Sequence, residues 1–578
     1  MKKFVFILLL TISLLYADPS QQTLADALQT DYQAGQLSRT EFVAYRLMGI
    51  INHPDLPSRY QDVPRRPSPM GTTLMMEARA LVPQSSGVEK ELLESVLSRP
   101  DYLPLSQTSP SGLFKLHYTD QGMHAAADTF IARCALAYDE VYDLIIHEMG
   151  YDTPPIDDPA DPEYDVYVYA VGGYGLSTPE TPAPTAKYSH GVTSYISMDN
   201  TFERTFTRGI DGMLVTAAHE FFHMVQLGMR NFSTTESDSR FLFEGTATWM
   251  EDYAFNHIND YLQYLPSYMR NLSKSFNTFN GLHEYGSCIF YHMLEAKYGA
   301  DIIKDIWSEF AQIGLWEGYD AALQRRGSSF KKELASHMVW NYFTGLRARS
   351  ELYYPEGEFY PIVEPDDILQ LDESLAFSDQ TDFLGAHFIK IEPASFGELM
   401  VAPTLQSPMH WLYSVIEAPL NAPAKINTSS GGSSLLLSGI NPANDIYLIP
   451  TNVNMSTATS YPPGEGYEFN LTFGQMDDLV SAIQNIYPNP YQPMLQSSAV
   501  QIDVRLIEKT DRINYYILNE FGRPVFSDEI RFESPLNGDV PIFWDGRNAE
   551  GKLVSAGIYI VRIDADQDIE PGKIAVVR

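Results

Sequence analysis

Cysteine is almost absent: Cys134 and Cys288 are the only two in 578 residues. That excludes a disulfide framework and any Cys-rich metal or cluster site. The pair leaves two readings open, one disulfide formed after export or two buried thiols. Neither cysteine sits at a metal-ligand spacing. Basic residues are scarce as well, with 39 Lys and Arg against 74 Asp and Glu and a formal charge of −35. So acidic a surface repels phosphate backbones and anionic lipid, which argues against nucleic acid and bilayer surfaces as partners. After the N-terminus no apolar run approaches about 18 residues, so the mature chain is expected to carry no transmembrane segment. Internal repeats and low-complexity tracts are missing too.

What is present is globular: 44% hydrophobic and 12% aromatic residues, in a chain long enough for three or four domains. Met1-Lys-Lys begins a short apolar run that ends at Ala17 before Asp18. The pattern predicts a secretory signal peptide over residues 1–17 and hence an exported protein. Residues 18–108 show helical periodicity, then Pro-rich punctuation and a second helix near Val88–Leu97. This segment reads either as a pro-region that blocks a cleft, sterically or with a side chain such as His53, or as a scaffold that stays attached. Strands are expected at Gly112–Thr119, Val166–Val171 and Thr193–Asp199, with a long helix across Met123–Met149. Between them, Asp157, Asp158 and Asp161 lie in an acidic Pro-rich loop that is either a Ca²⁺ site or, the commoner case, an ordinary turn.

The chemistry concentrates in one stretch. Residues 213–225 are apolar except for His, Glu and Thr, the mark of a buried helix. His219 and His223 lie four apart and so project from one face. Two imidazoles so placed hold one Zn²⁺ at about 2.0–2.1 Å, and Glu220 then reaches a water on that ion but not the ion itself. Glu244, opening the next helical stretch, is the candidate third ligand. Glu251, seven residues further on, is placed to brace a ligating His.

His219-Glu-Phe-Phe-His223 with Leu242-Phe-Glu244-Gly-Thr-Ala247 resembles the gluzincin metallopeptidases, which include thermolysin and the zinc aminopeptidases. The resemblance implies an α+β zincin domain over residues 109–350 and zinc on His219, His223 and Glu244. It implies Glu220 as catalytic base, and a downstream Tyr or His for the oxyanion: Tyr285 first, then His283 and His292. It also implies that the strand before the zinc helix edges the cleft and pairs with the substrate backbone. Two departures matter. No Gly-x-Met-Glu-Asn segment is present to bind a free N-terminus, which favours endopeptidase over aminopeptidase action on protein or peptide substrates. Thr248 stands where thermolysin-like enzymes have Asp, so the bracing role passes to Glu251 or Asp252.

Residues 351–474 alternate in short apolar runs and read as an all-β sandwich. In the last stretch, 475–578, Trp544 and Tyr559 are expected as core anchors, and Asp545-Gly546 and Glu550-Gly551 as tight turns. Asn485-Ile-Tyr-Pro-Asn-Pro490, Asn519-Glu-Phe-Gly522 and Gly557-Ile-Tyr-Ile-Val561 together look like the immunoglobulin-like C-terminal sorting domain of type IX secretion cargo. That resemblance implies a β-sandwich recognised by the type IX machinery, and a protein released or anchored outside a Gram-negative cell. Expected overall is a multidomain, secreted, zinc-dependent peptidase. The alternative is an inactive peptidase fold serving as a surface adhesin or structural protein.

Overall fold

The computed structural model describes residues 23–577, apart from 66–70, 232–238, 372–374, 394–396, 405–410, 421, 431–434, 456–466, 475–481, 494–498 and 568. The expected signal peptide lies outside the described residues. Two compact units account for the chain. The first comprises residues up to Leu265 together with Phe279–Arg326, the second Pro266–Thr278 with Gly327 onward.

The first unit begins with helices α1 (Leu24–Gln33), α2 (Arg39–Ile50), α3 (Ser58–Gln61), α4 (Gly71–Leu81) and α5 (Val88–Val96). Capping boxes, Thr23 with Asp26 and Ser38 with Glu41, start the first two by satisfying otherwise orphaned amides. A five-stranded sheet follows, from β1 (Leu105–Thr108), β2 (Phe114–Tyr118), β3 (Tyr164–Val168), β4 (Gly175–Pro182) and β5 (Val192–Met198), in the order β1-β2-β3-β5-β4. β2, β3 and β5 run parallel, and β1 and β4 are antiparallel to their neighbours.

Period-two alternation splits the sheet's side chains between two helical layers. Tyr167, Leu176 and Tyr195 join one core with Leu47, Val43 and Leu93 of the N-terminal helices. On the other face, Phe114 and Tyr164 meet Phe221 of helix α7 (Gly209–Met229), and Met198 meets Cys134 of helix α6 (Asp128–Tyr142). The helix expected across Met123–Met149 is therefore shorter, and its last turn widens into a π-helix over Asp143–Glu148.

The edge of the sheet differs from expectation. β5 is hydrogen-bonded on both sides, to β3 and β4, so Thr193–Asp199 is not the edge. The antiparallel return of the chain makes β4 the outermost strand. Helix α4 covers it: Thr72 accepts from the Ser177 amide at 2.8 Å and Arg79 donates to the Glu180 carbonyl.

In the second unit, nine strands between Asp367 and Gly474 form a five-stranded and a four-stranded sheet around a core that includes Trp411, Tyr413, Phe469 and Leu448. The helix Phe330–Tyr342 belongs to this unit rather than to the first. It packs on strands Trp411–Ala418 and Asp445–Asn452, with His337 between the hydroxyls of Tyr268 (2.8 Å) and Tyr354 (2.9 Å). The sequence suggests a helical stretch over Phe330–Leu346 that closes the catalytic domain; the helix instead packs with the β-rich unit. Among the described residues the C-terminal strands hydrogen-bond as one five-stranded sheet. The long strands Val500–Leu518 and Pro524–Trp544 pair with register shifts and enclose a core anchored by Trp544 and Tyr559. Gly546 and Gly551 take positive φ, as tight turns demand. Among the described residues no helix is long and apolar enough to cross a membrane.

Candidate metal centre

Every residue of α7 from Gly212 to Met229 is buried. A helix buried all round must satisfy each polar side chain locally. Four of them lie along one side, and they build the site. The His219 and His223 rings stand 4.6 Å apart at 90° to each other. Helix α8 (Arg240–Ala254) brings Glu244 against them, its Oε2 3.4 Å from His219 Nε2 and 3.3 Å from His223 Nε2.

The other nitrogen of each ring is already committed. His219 Nδ1 lies 2.6 Å from Glu251 Oε1, and His223 Nδ1 lies 2.7 Å from Gln226 Oε1. The Gln226 amide is oriented in turn, its nitrogen donating to the Phe243 carbonyl (3.2 Å) and to Thr246 (3.0 Å). With Nδ1 of each ring turned to its partner, a neutral ring presents the lone pair of Nε2, and both Nε2 atoms face a carboxylate oxygen of Glu244. These three ligand atoms, all buried, lie close enough together that they could hold one metal ion. A tetrahedral ion bound at about 2.1 Å spaces its ligands about 3.4 Å apart, the separation found here between Glu244 and each ring. The residues fit zinc.

Burial would raise the Glu244 carboxyl, but the two imidazoles prevail and hold it well below the usual range. Glu251 faces a single ring, and burial pushes it up to about 7. Glu220 is raised by burial, with His219, His223 and Ser177 partly offsetting that. Its Oε2 accepts from Ser177 Oγ at 2.8 Å and from Thr72 Oγ1 at 3.3 Å. A small cavity opens beside the cluster, lined by His219, Glu220, Glu251, Asp260, Tyr174, Tyr264 and Tyr285, with Gly175 at its β4 side. There a Cβ would come within 3.0 Å of Glu220 Cγ, so only glycine lets the strand lie so close to α7.

Each residue expected from the sequence has its place. His219, His223 and Glu244 come together, with Glu220 beside them. Tyr285 lines the cavity, its ring 6.3 Å from His219 and its hydroxyl sharing a hydrogen bond with Glu244; burial pushes that hydroxyl well above its ordinary pKa. His283 and His292 are not among the lining residues. Of the two candidates for the brace, Glu251 reaches His219, whereas Asp252 lies 3.9 Å from His292. Asp157 pairs with Arg99 and Asp161 with Lys115 (2.8 Å), and Asp158 accepts from the Ala160 amide. Cys134 and Cys288 are free and buried.

Sequence reading missed Gln226, Ser177, Thr72, Tyr174, Asp260 and Tyr264. Of these only Gln226 carried a signal, being one helical turn beyond His223. Among the described residues one further group has the right chemistry for a metal, Asp367, Asp379 and His387 in the second unit.

A family of unknown function, DUF6055, matches residues 207–314, a segment that contains His219, Glu220, His223, Glu244 and Tyr285. No curated protein matches the chain. Solved structures with local likeness include a mitogen from Yersinia pseudotuberculosis (9% identity, 19% of this chain and 91% of that one, TM-score 0.15). PorZ, a surface component of the type IX secretion system of Porphyromonas gingivalis, shares 16% identity over 28% of this chain and 22% of its own, at a TM-score of 0.13. An FMN-binding β-glucuronidase from Faecalibacterium prausnitzii shares 16% over 35% and 32%, at 0.16. This chain thus spans under a third of PorZ and of the glucuronidase, and at such TM-scores the likenesses carry no argument.

Proposed function

We propose that this protein is an exported zinc metallopeptidase with a zincin-like catalytic unit, cleaving peptide bonds of extracellular proteins as an endopeptidase. One observation carries the reading. Two imidazole lone pairs and a carboxylate converge at the spacing of a tetrahedral ion, on a cavity whose wall also holds the carboxylate of Glu220. His219, His223 and Glu244 would hold the ion. Zinc held there supplies Lewis acidity and lowers the pKa of a bound water to about 7.

Glu220 takes the proton of the attacking water and later delivers it to the leaving amine. Its raised affinity for protons, from burial that outweighs the two imidazoles and Ser177, suits a group that must both accept and return one. Tyr285 keeps its proton at neutral pH and so donates a hydrogen bond to the oxyanion as the peptide carbonyl becomes tetrahedral. Glu251 and Gln226 fix the rings. The N-terminal signal pattern and the C-terminal motifs, with Trp544 and Tyr559 as core anchors, support export through the type IX pathway to the medium or cell surface.

The test is metal content and casein cleavage by the purified protein beside Glu220→Gln. One zinc per chain in both, with cleavage only by wild type, is expected. Zinc without cleavage by wild type would favour the adhesin alternative, and a protein without metal would overturn the site.

A further inference from the structure

We infer that the N-terminal helical layer is a permanent part of the catalytic unit, and that its Thr72 is a positioning residue for Glu220. The inference rests on the reading of Glu220 as the base. Thr72 Oγ1 accepts the Ser177 amide at 2.8 Å, so its only proton is left for Glu220 Oε2, 3.3 Å away. Ser177 Oγ lies 2.8 Å from that same oxygen and 3.0 Å from the Glu220 carbonyl. Two hydroxyls, both buried, therefore hold one carboxylate oxygen and leave the other to the reaction.

The approach is built for contact. A Cβ on Gly71 would meet the Gly175 carbonyl at 2.9 Å and Leu176 Cβ at 2.8 Å, so α4 lies flush on β4 only with glycine there. A removable inhibitory segment would fill the cleft. Here, among the described residues, none of 23–97 lines the cavity. Instead the segment shares a core with the sheet, and Asn52 reaches the Ala170 carbonyl at 2.8 Å. Arg99, directly after it, joins Asp165 and Glu180.

The test compares Thr72→Val and Thr72→Ser in the full chain, together with the intact mass of active protein recovered from the medium. Thr72→Val should lower kcat on the order of tenfold to a hundredfold, with KM and zinc content unchanged and a somewhat lower melting temperature because the Ser177 amide loses its acceptor, and Thr72→Ser should restore most of both. Ser177→Ala supplies the same comparison from the other hydroxyl should the valine variant not fold. Active protein should retain residues 23–97. Wild-type kcat in Thr72→Val beside an inactive Glu220→Gln, or an active species lacking the segment, would overturn the inference alone. Activity surviving in Glu220→Gln would overturn the reading beneath it.

Discussion

Among the described residues two groups of histidine and carboxylate lie close enough together to hold a metal, and they are not alike. In the first unit, Glu244 stands 3.3 and 3.4 Å from two Nε2 atoms, and each ring is turned by a partner on its far nitrogen. In the second unit, His387 Nε2 lies 2.7 Å from Asp367 and 3.5 Å from Asp379. Its Nδ1 is buried with no hydrogen-bond partner, and both aspartates are more than a third exposed. The shorter distance is a direct hydrogen bond with no room for an ion between the atoms. Ligand residue types in proximity do not make a metal centre. What distinguishes the first cluster is the outer layer, Glu251 and Gln226, that turns both rings so that each Nε2 faces Glu244.

That contrast can be broken outright by His223→Ala and His387→Ala. The first should reduce zinc from one per chain to near none and abolish cleavage; the second should leave one zinc per chain. Elemental analysis after dialysis decides it, and zinc lost on His387→Ala would erase the distinction. Next in size is the outer layer itself. Glu251→Gln should weaken zinc affinity about 10- to 100-fold, read by chelator competition, while the three ligands remain.

A third buried carboxylate sharpens the comparison within the first unit. Glu284 accepts the amides of Gly281 (2.7 Å) and Asn280 (3.1 Å), and burial pushes it up to about 7. Below about pH 4.5 it is protonated both folded and unfolded and costs nothing. From there to about 7 the unfolded chain loses the proton while the folded one keeps it, so stability falls as pH rises. Thermal melts should show this slope, and Glu284→Gln should flatten it by on the order of 1–3 kcal/mol. An unchanged slope would mean that the amides already compensate for burial. The smallest effect is expected from Asp379→Asn: no change in zinc and under about 1 kcal/mol in stability, as for exposed pairs generally.

The centre was largely legible in the sequence because its parts are local. His219 and His223 are one helical turn apart, and Glu244 and Glu251 are two turns apart on a single helix, so periodicity alone puts each pair on one face. Tyr285 was harder, one of 36 tyrosines, and only its resemblance to a family position singled it out. Thr72 and Ser177 left no trace, since they meet Glu220 across 148 and 43 residues of chain. Strand positions were readable from alternation, but not their order in the sheet, because alternation gives the faces of a strand and not its neighbours. The Phe330–Tyr342 stretch was recognisable as a helix but read as part of the catalytic domain, because a helical pattern does not name the sheet it packs on.

The position of α4 along β4 has a consequence of another kind. An outermost strand offers a row of unpaired amides and carbonyls, and a bare one invites the same strand of a second molecule. In this chain the Ser177 amide and the Glu180 carbonyl are instead occupied by Thr72 and Arg79. A truncated form begun after α5 would therefore be expected to precipitate or form β-rich oligomers even where its sheet still folds, and the N-terminal layer acts as this protein's own guard against aggregation.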